Sequence, residues 1–211
     1  MDGWFIFLLG ISAQILFSAR MLVQWLMSER SRRVVSPLLF WVLSLAASLI
    51  FFVYGWLRSD FAIMLGQVIG YYAYLWNLKL KGAFSPMGKV PGHALLTALI
   101  LFPVLGITTV ALRNPDAAAA LFSGENIHRG VLLFGTVGQL IFSTRFIYQT
   151  LYSARRGESI LPPGFWRISL AGALLILAYG IMRLDAVVIL AQSFGILTYV
   201  RNLVLWRKSH R

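Results

Sequence analysis

Cysteine is absent from this chain, so no disulfide framework, thiolate metal site or cysteine nucleophile can be built from it. Acids are almost as scarce: seven Asp and Glu stand against 19 Lys and Arg in 211 residues. All seven (Asp2, Glu29, Asp60, Asp116, Glu125, Glu158, Asp185) fall at the ends of apolar runs or between them, which leaves no carboxylate inside hydrocarbon to carry protons. His93, His128 and His210 stand apart, with no partner at metal-ligand or triad spacing. There is no phosphate-cradling glycine loop and no carboxylate pair for glycosidic chemistry. Together these absences predict a protein with no metal, no cofactor and no enzymatic site.

What the chain has in excess is apolar surface. It is 59% hydrophobic and 12% charged, with a mean hydropathy of +0.76, which points to a bilayer protein rather than a soluble domain. About 20 apolar residues span the hydrocarbon, and seven such stretches are present, at about 4–27, 36–57, 60–80, 91–112, 130–152, 163–182 and 186–206. The opening segment MDGWFIFLLG has no basic flank and its apolar run is too long for a signal peptide, so it reads as a retained first span. The net charge of +12 is carried by short connections and not by a soluble face, which excludes nucleic acid as a partner. SERSRR, KLKGAFSPMGK, SARRGE and the tail RKSHR are basic, and the alternate connections are balanced by acids. The positive-inside rule then sets the amino terminus outside and the carboxy terminus in the cytoplasm. The basic inner loops should attract anionic phospholipids, at roughly 1 kcal/mol per Lys or Arg near the surface.

The strongest internal signal is a repeat. Gln14, Ser18, Arg20, Gln24 and Ser28 recur, 125 residues on, as Gln139, Ser143, Arg145, Gln149 and Ser153. The same offset carries Pro37, Phe40, Trp41 and Ser44 onto Pro162, Phe165, Trp166 and Ser169, and Tyr54, Gly55, Arg58 and Asp60 onto Tyr179, Gly180, Arg183 and Asp185. It finally carries Gln67, Gly70, Tyr74 and Asn77 onto Gln192, Gly195, Tyr199 and Asn202. The predicted fold is therefore an all-α membrane protein of seven transmembrane helices: two three-helix repeats, at 1–82 and 126–211, joined by a linker at 83–125 that holds the fourth span. An odd inserted span makes the two repeats parallel.

Polar groups in hydrocarbon must find partners, so the marked faces are expected to look inward. An arginine in a span costs roughly 2.5 to 3.5 kcal/mol at mid-membrane. Arg20 and Arg145 are accordingly candidates for a phosphate contact, because a guanidinium fork matches two phosphate oxygens. Gln14, Gln24, Gln67, Tyr74, Asn77, Gln139, Gln149, Gln192, Tyr199 and Asn202 would line the same polar cavity. The alternative for each is ordinary hydrogen-bonded glue between helices, and for the arginines snorkelling to the interface. Gly55, Gly70, Gly180 and Gly195 read as close helix contacts. Trp41 and Trp166 read as an interfacial aromatic belt, Arg58 with Asp60 and Arg183 with Asp185 as local ion pairs, Arg167 as a snorkelling side chain, and Pro103 as a helix kink.

The run SARMLVQWLMSERSRRVVSPLLFWVLSLAASL followed by GQVIGYYAYLWNL, and its second copy STRFIYQTLYSARRGESILPPGFWRISLAGALL with AQSFGILTYVRNL, resemble the lipid A biosynthesis N-terminal domain family. That family is similar to the PQ-loop and SWEET superfamily of transporters, whose two-repeat members are built as three, one and three spans. The Pro-Gln pair of that superfamily is here Val23-Gln24 and Tyr148-Gln149. The resemblance implies a multi-pass protein of the bacterial inner membrane in envelope glycolipid biosynthesis. The expected function is a non-enzymatic flippase that binds and translocates a phosphate-containing glycolipid or lipid-linked sugar. Two alternatives stay open: a non-transporting scaffold for a membrane glycosyltransferase, and a SWEET-like facilitator of a small sugar.

Overall fold

In a computed structural model the structure describes residues 3–58, 60–113 and 129–209. Seven helices occupy them: α1 (Gly3–Ser31), α2 (Leu38–Leu57), α3 (Phe61–Leu80), α4 (Lys89–Arg113), α5 (Arg129–Arg156), α6 (Pro163–Met182) and α7 (Ala186–Ser209), with a short 3-10 turn at Ser85–Met87. A chain this apolar has helix as its natural state, since only internal bonding satisfies the backbone without water. Five helices, α1, α2, α5, α6 and α7, are long and apolar enough to cross a membrane. The expected seven spans are thus narrowed to five by this measure. Gln67, Asn77 and three tyrosines dilute α3, and α4 carries a shorter apolar stretch, Pro91–Leu105. Asp2, Asp116, Glu125, His128, His210 and the linker from 114 to 125 lie outside the described residues.

The turns repeat with the sequence. Ser28 Oγ accepts from Val35 N at 3.1 Å and its mate Ser153 Oγ accepts from Ile160 N at 3.0 Å, folding the chain back after each long helix. The backbone there passes through the left-handed region at Arg32 (φ 53°) and at its mate Gly157 (φ 67°). Pro37 and Pro162, extended at φ −67° and −73°, then start α2 and α6, where a missing amide hydrogen is no loss. Asp60 caps α3 by accepting from Ile63 N at 3.1 Å, and Asp185 caps α7 by accepting from Val187 N at 3.0 Å and Val188 N at 3.1 Å.

Helices α1, α2 and α3 pack in sequence, as do α5, α6 and α7, and the two triplets meet along α3 with α5 and along α1 with α7. Six helices thereby close a ring. Helix α4 stands outside it against α3. Its anchor follows from Pro103: a proline inside a helix leaves the carbonyl four residues earlier without its amide. That carbonyl is Leu99 O, and Tyr71 donates its hydroxyl to it at 2.7 Å. Tyr72 donates to the neighbouring Ile100 O at 3.3 Å.

Each triplet is packed around an aromatic group. Phe40 meets Trp41 edge-on at 4.7 Å and Phe165 meets Trp166 at 4.9 Å, with Tyr74 and Tyr199 near the respective indoles at 6.2 and 6.1 Å. Trp41 and Trp166 are wholly buried, which corrects their reading as an interfacial belt: they face the interior of the bundle, and position near the end of a span reports depth but not facing. Gly55 and Gly180 are close contacts as expected. A Cβ on them would come within 2.9 Å of Ile63 Cγ2 and of Val188 Cγ1.

Candidate functional site

The ring encloses a cavity of about 80 Å³ lined by Gln14, Ser18, Arg20, Gln67, Tyr74, Gln139, Arg145, Gln192 and Tyr199 together with apolar side chains. Both guanidinium groups face it, and Arg20 and Arg145 are 6% and 4% exposed. That is too little for snorkelling to explain their depth. Arg20 is better held, with its Nε alone buried and unpartnered: its Nη1 donates to Ser44 Oγ at 2.9 Å and to Tyr74 Oη at 3.3 Å, with the Phe17 ring 4.6 Å from the guanidinium carbon. Arg145 is held less. Its Nε and Nη1 are buried without a hydrogen-bond partner among the described residues, and its guanidinium carbon sits 3.2 Å from the Phe142 centroid and 4.4 Å from that of Phe146. Ring faces attract a cation, yet they cannot accept a guanidinium's directed hydrogen bonds. No carboxylate lines the cavity among the described residues.

The glutamines divide into two groups that the sequence could not separate. Gln14, Gln67, Gln139 and Gln192 reach the cavity wall. Gln139 donates to Ser143 Oγ at 3.2 Å, and it fits there because Gly66 opposes it: a Cβ on Gly66 would lie 1.8 Å from Gln139 Nε2. Gln24 and Gln149 instead close one end of the ring. Gln24 Nε2 donates to Asn202 Oδ1 at 2.9 Å, and Asn202 Nδ2 donates back to Gln24 Oε1 at 3.2 Å. Gln149 and Asn77 exchange the same two bonds at 2.9 Å each. All four residues are fully buried. The candidate set is therefore split into a lining and a closure, and each closure joins the long helix of one triplet to the last helix of the other.

The opposite end is closed by ions that the sequence reading had paired wrongly. Arg58 bonds Asp185 of the other triplet at 3.2 Å, and Arg183 bonds Asp60. Tyr54 and Tyr179 donate their hydroxyls to the same two carboxylates, at 3.0 Å to Asp185 and 2.8 Å to Asp60. The expected local pairs, Arg58 with Asp60 and Arg183 with Asp185, are replaced by crossed ones. Each aspartate already turns inward to cap its own helix, so the arginine that reaches it comes from across the ring. Gly10 and Gly135 leave the room: a Cβ on either would meet the Tyr54 or Tyr179 ring at 2.6 or 2.4 Å. Along α3, Asp60 precedes and Asn77 follows the cavity residues, about 25 Å apart at 1.5 Å per residue. Ser44 and Gly66 are site residues that sequence reasoning passed over; Ser44 was visible as a repeated polar residue, whereas Gly66 breaks the repeat, its mate being Ala191.

The family model described as Lipid A Biosynthesis N-terminal domain matches this chain twice, over residues 9–79 and 134–204. The chain belongs to that family. Both matches fall on the triplets, so the family's unit is the three-helix repeat and this chain holds two. Similar curated proteins include lipid-A-disaccharide synthase of Chlamydia pneumoniae, 29% identical over 96% of this chain and 34% of its own length. Those of Chlamydia felis, at 27% over 96% and 33%, and of Chlamydia trachomatis serovar D, at 28% over 92% and 33%, match in the same way. The chain spans about a third of the length of the curated relatives it matches. No solved structure matches it.

These relatives overturn the functional expectation. They are named as synthases of the lipid A disaccharide, which points toward lipid A biosynthesis. The chain is not read as a flippase, a scaffold or a sugar facilitator. The expectation that the chain is not an enzyme fails on the same names. Catalytic constellations missing from this chain do not decide the matter, because two thirds of each relative's length lie outside the match, where such groups can sit.

Proposed function

We propose that this chain is the membrane-embedded part of a lipid-A-disaccharide synthase activity, and that its cavity holds the phosphate of a glycolipid substrate. The observation that carries the site is Arg145, a buried guanidinium with two nitrogens left without hydrogen-bond partners beside a cavity that holds a second arginine. An unpaired buried charge is costly, and an anion offsets that cost with charge-assisted bonds. A cavity of about 80 Å³ has room for a phosphate group or several waters. In this reading Arg20 and Arg145 bind the phosphate. Gln14, Gln67, Gln139 and Gln192, with Tyr74 and Tyr199, bond its oxygens and the adjoining sugar hydroxyls. The Gln24–Asn202 and Gln149–Asn77 pairs hold the basic end shut behind it.

The reading takes the triplets as parallel repeats, 1–82 and 126–211, joined through the linker 83–125 in the bacterial inner membrane, amino terminus outside and carboxy terminus in the cytoplasm. The three-one-three order resembles that of the PQ-loop and SWEET superfamily, and only the order is taken over. The basic connections then face the cytoplasm and its anionic lipids.

The test compares the wild type with Arg20→Ala/Arg145→Ala for binding of an acylated sugar phosphate by native mass spectrometry. The double variant should keep its helical content and bind at least about a hundredfold more weakly, since truncating buried charges that hold a ligand costs several kcal/mol. In cells that depend on this chain, the variant should accumulate unjoined monosaccharide glycolipid. Undiminished binding overturns the reading.

A further inference from the structure

Outside the ring, between α2, α3 and α4, lies a second and larger pocket of about 370 Å³. Its walls are apolar: Phe52, Val53 and Trp56 from α2, Val68 and Tyr71 from α3, and Phe102 from α4. Val53 and Phe102 are 46% and 58% exposed, so the pocket opens sideways, where acyl chains lie. Two polar groups on its rim are already engaged, Tyr71 with Leu99 O at 2.7 Å and Ser48 with Leu45 O at 2.8 Å. The third, Gln67, lines this pocket and the arginine cavity at once. Its amide makes no hydrogen bond among the described residues. One uncommitted amide thus stands where a cationic chamber meets an apolar one.

We infer that the α2–α3–α4 pocket takes one acyl chain of the glycolipid whose phosphate the cavity binds, with Gln67 at the junction of headgroup and tail; this rests on the phosphate reading above. A molecule with an anionic head and a hydrocarbon tail is the ligand class that fits both chambers, because charge complements one and apolar area the other. Continuity through Gln67 sets this pocket apart from the rest of the lipid-facing surface. Its position does too. The roof is α4, and the bond that anchors α4 exists only at the first triplet: the repeat mates of Tyr71 and Tyr72 are Ile196 and Leu197, which have no hydroxyl to offer. The site therefore occurs once and gives the ligand a single orientation in a doubled frame.

The experiment uses an acylated sugar phosphate carrying a photoactivatable diazirine at the end of one long acyl chain. A short-chain analogue and a phosphatidylcholine with the same diazirine chain serve for comparison. In the wild type, label from the sugar phosphate should concentrate on residues 52–56 and 101–107. Val68→Trp, which fills the pocket, should reduce that label about tenfold and leave binding of the short-chain analogue unchanged. Val53→Trp serves the same purpose should Val68→Trp unfold, which a thermal melt in detergent reports. Equal labelling of those residues by phosphatidylcholine, or label insensitive to both tryptophans, overturns the chain pocket alone. Intact short-chain binding in Arg20→Ala/Arg145→Ala overturns the phosphate reading and this inference with it.

Discussion

The two triplets agree at their ends and differ in the middle. At one end both use a Gln–Asn exchange with a serine beneath each glutamine, Gln24 to Ser28 at 2.9 Å and Gln149 to Ser153 at 2.8 Å. At the other both use a tyrosine and an arginine against a capping aspartate. Between them the symmetry fails. Ser44 and its mate Ser169 both donate to their own backbone, at Phe40 O and Phe165 O, yet only Ser44 also accepts from an arginine, Arg20 at 2.9 Å, and Arg145 keeps two unpartnered nitrogens. Gly66 makes room for Gln139, and its mate is Ala191. Helix α4 docks on one triplet only. The duplicated residues thus build the frame; beside them the Gln–Asn end has unrepeated bonds of its own, Arg201 to Glu29 and Ser159 to Asn77, and the cavity wall diverges where a ligand would sit.

The largest effect should come from breaking that frame unevenly. Asp60→Ala removes a helix cap and strands Arg183, whose side chain is 13% exposed, so a loss of about 3–5 kcal/mol is expected. Asp185→Ala strands Arg58, at 36% exposure, where water takes over part of the charge. Thermal unfolding in detergent should therefore rank Asp60→Ala well below Asp185→Ala; equal melting temperatures would mean that the crossed pairs are equivalent.

At the centre the two arginines should differ in the same sense. Arg145→Ala should weaken binding of the acylated sugar phosphate by about one to two orders of magnitude. Arg20→Ala should weaken it less, because Ser44 and Tyr74 already occupy one of its nitrogens. Titration of each single variant separates them, and a reversed order would move the anion to the first triplet.

The smallest effect concerns α4. Tyr71→Phe should cost about 0.6 to 1 kcal/mol, the ordinary value for a hydrogen bond between membrane helices. Pro103→Ala restores the amide that Leu99 O lacks, so in that background Tyr71→Phe should cost almost nothing. A double-mutant cycle that shows no such coupling would remove the proline-made acceptor as the reason α4 sits where it does.

Much of this arrangement is legible in the sequence, because rare polar residues kept in constant register are hard to mistake. The 125-residue offset marks both ends of the ring and most of the cavity wall, and helical periodicity sends those side chains inward. Partnership is what it hides. Arg58 and Asp60 are two residues apart and look like a pair, yet the capping duty of Asp60 turns its carboxylate toward α3 and the far triplet. Gln14 and Gln24 lie ten residues apart on one helix with the same chemistry, and only the depth at which α7 crosses decides which is wall and which is closure. Trp41 has an ambiguous signal for the same reason. The enzyme assignment failed differently, since it rests on names carried by chains three times as long.

The crossed bonding of Arg58 to Asp185 and of Arg183 to Asp60 has a consequence for biogenesis. While the ribosome is still making the second half, the first half is already in the bilayer with Asp60 and Arg58 committed to nothing across the ring. The crossed pairs can form only once residues 183 and 185 have been made. A first triplet made alone would keep Arg58 and Asp60 without those partners.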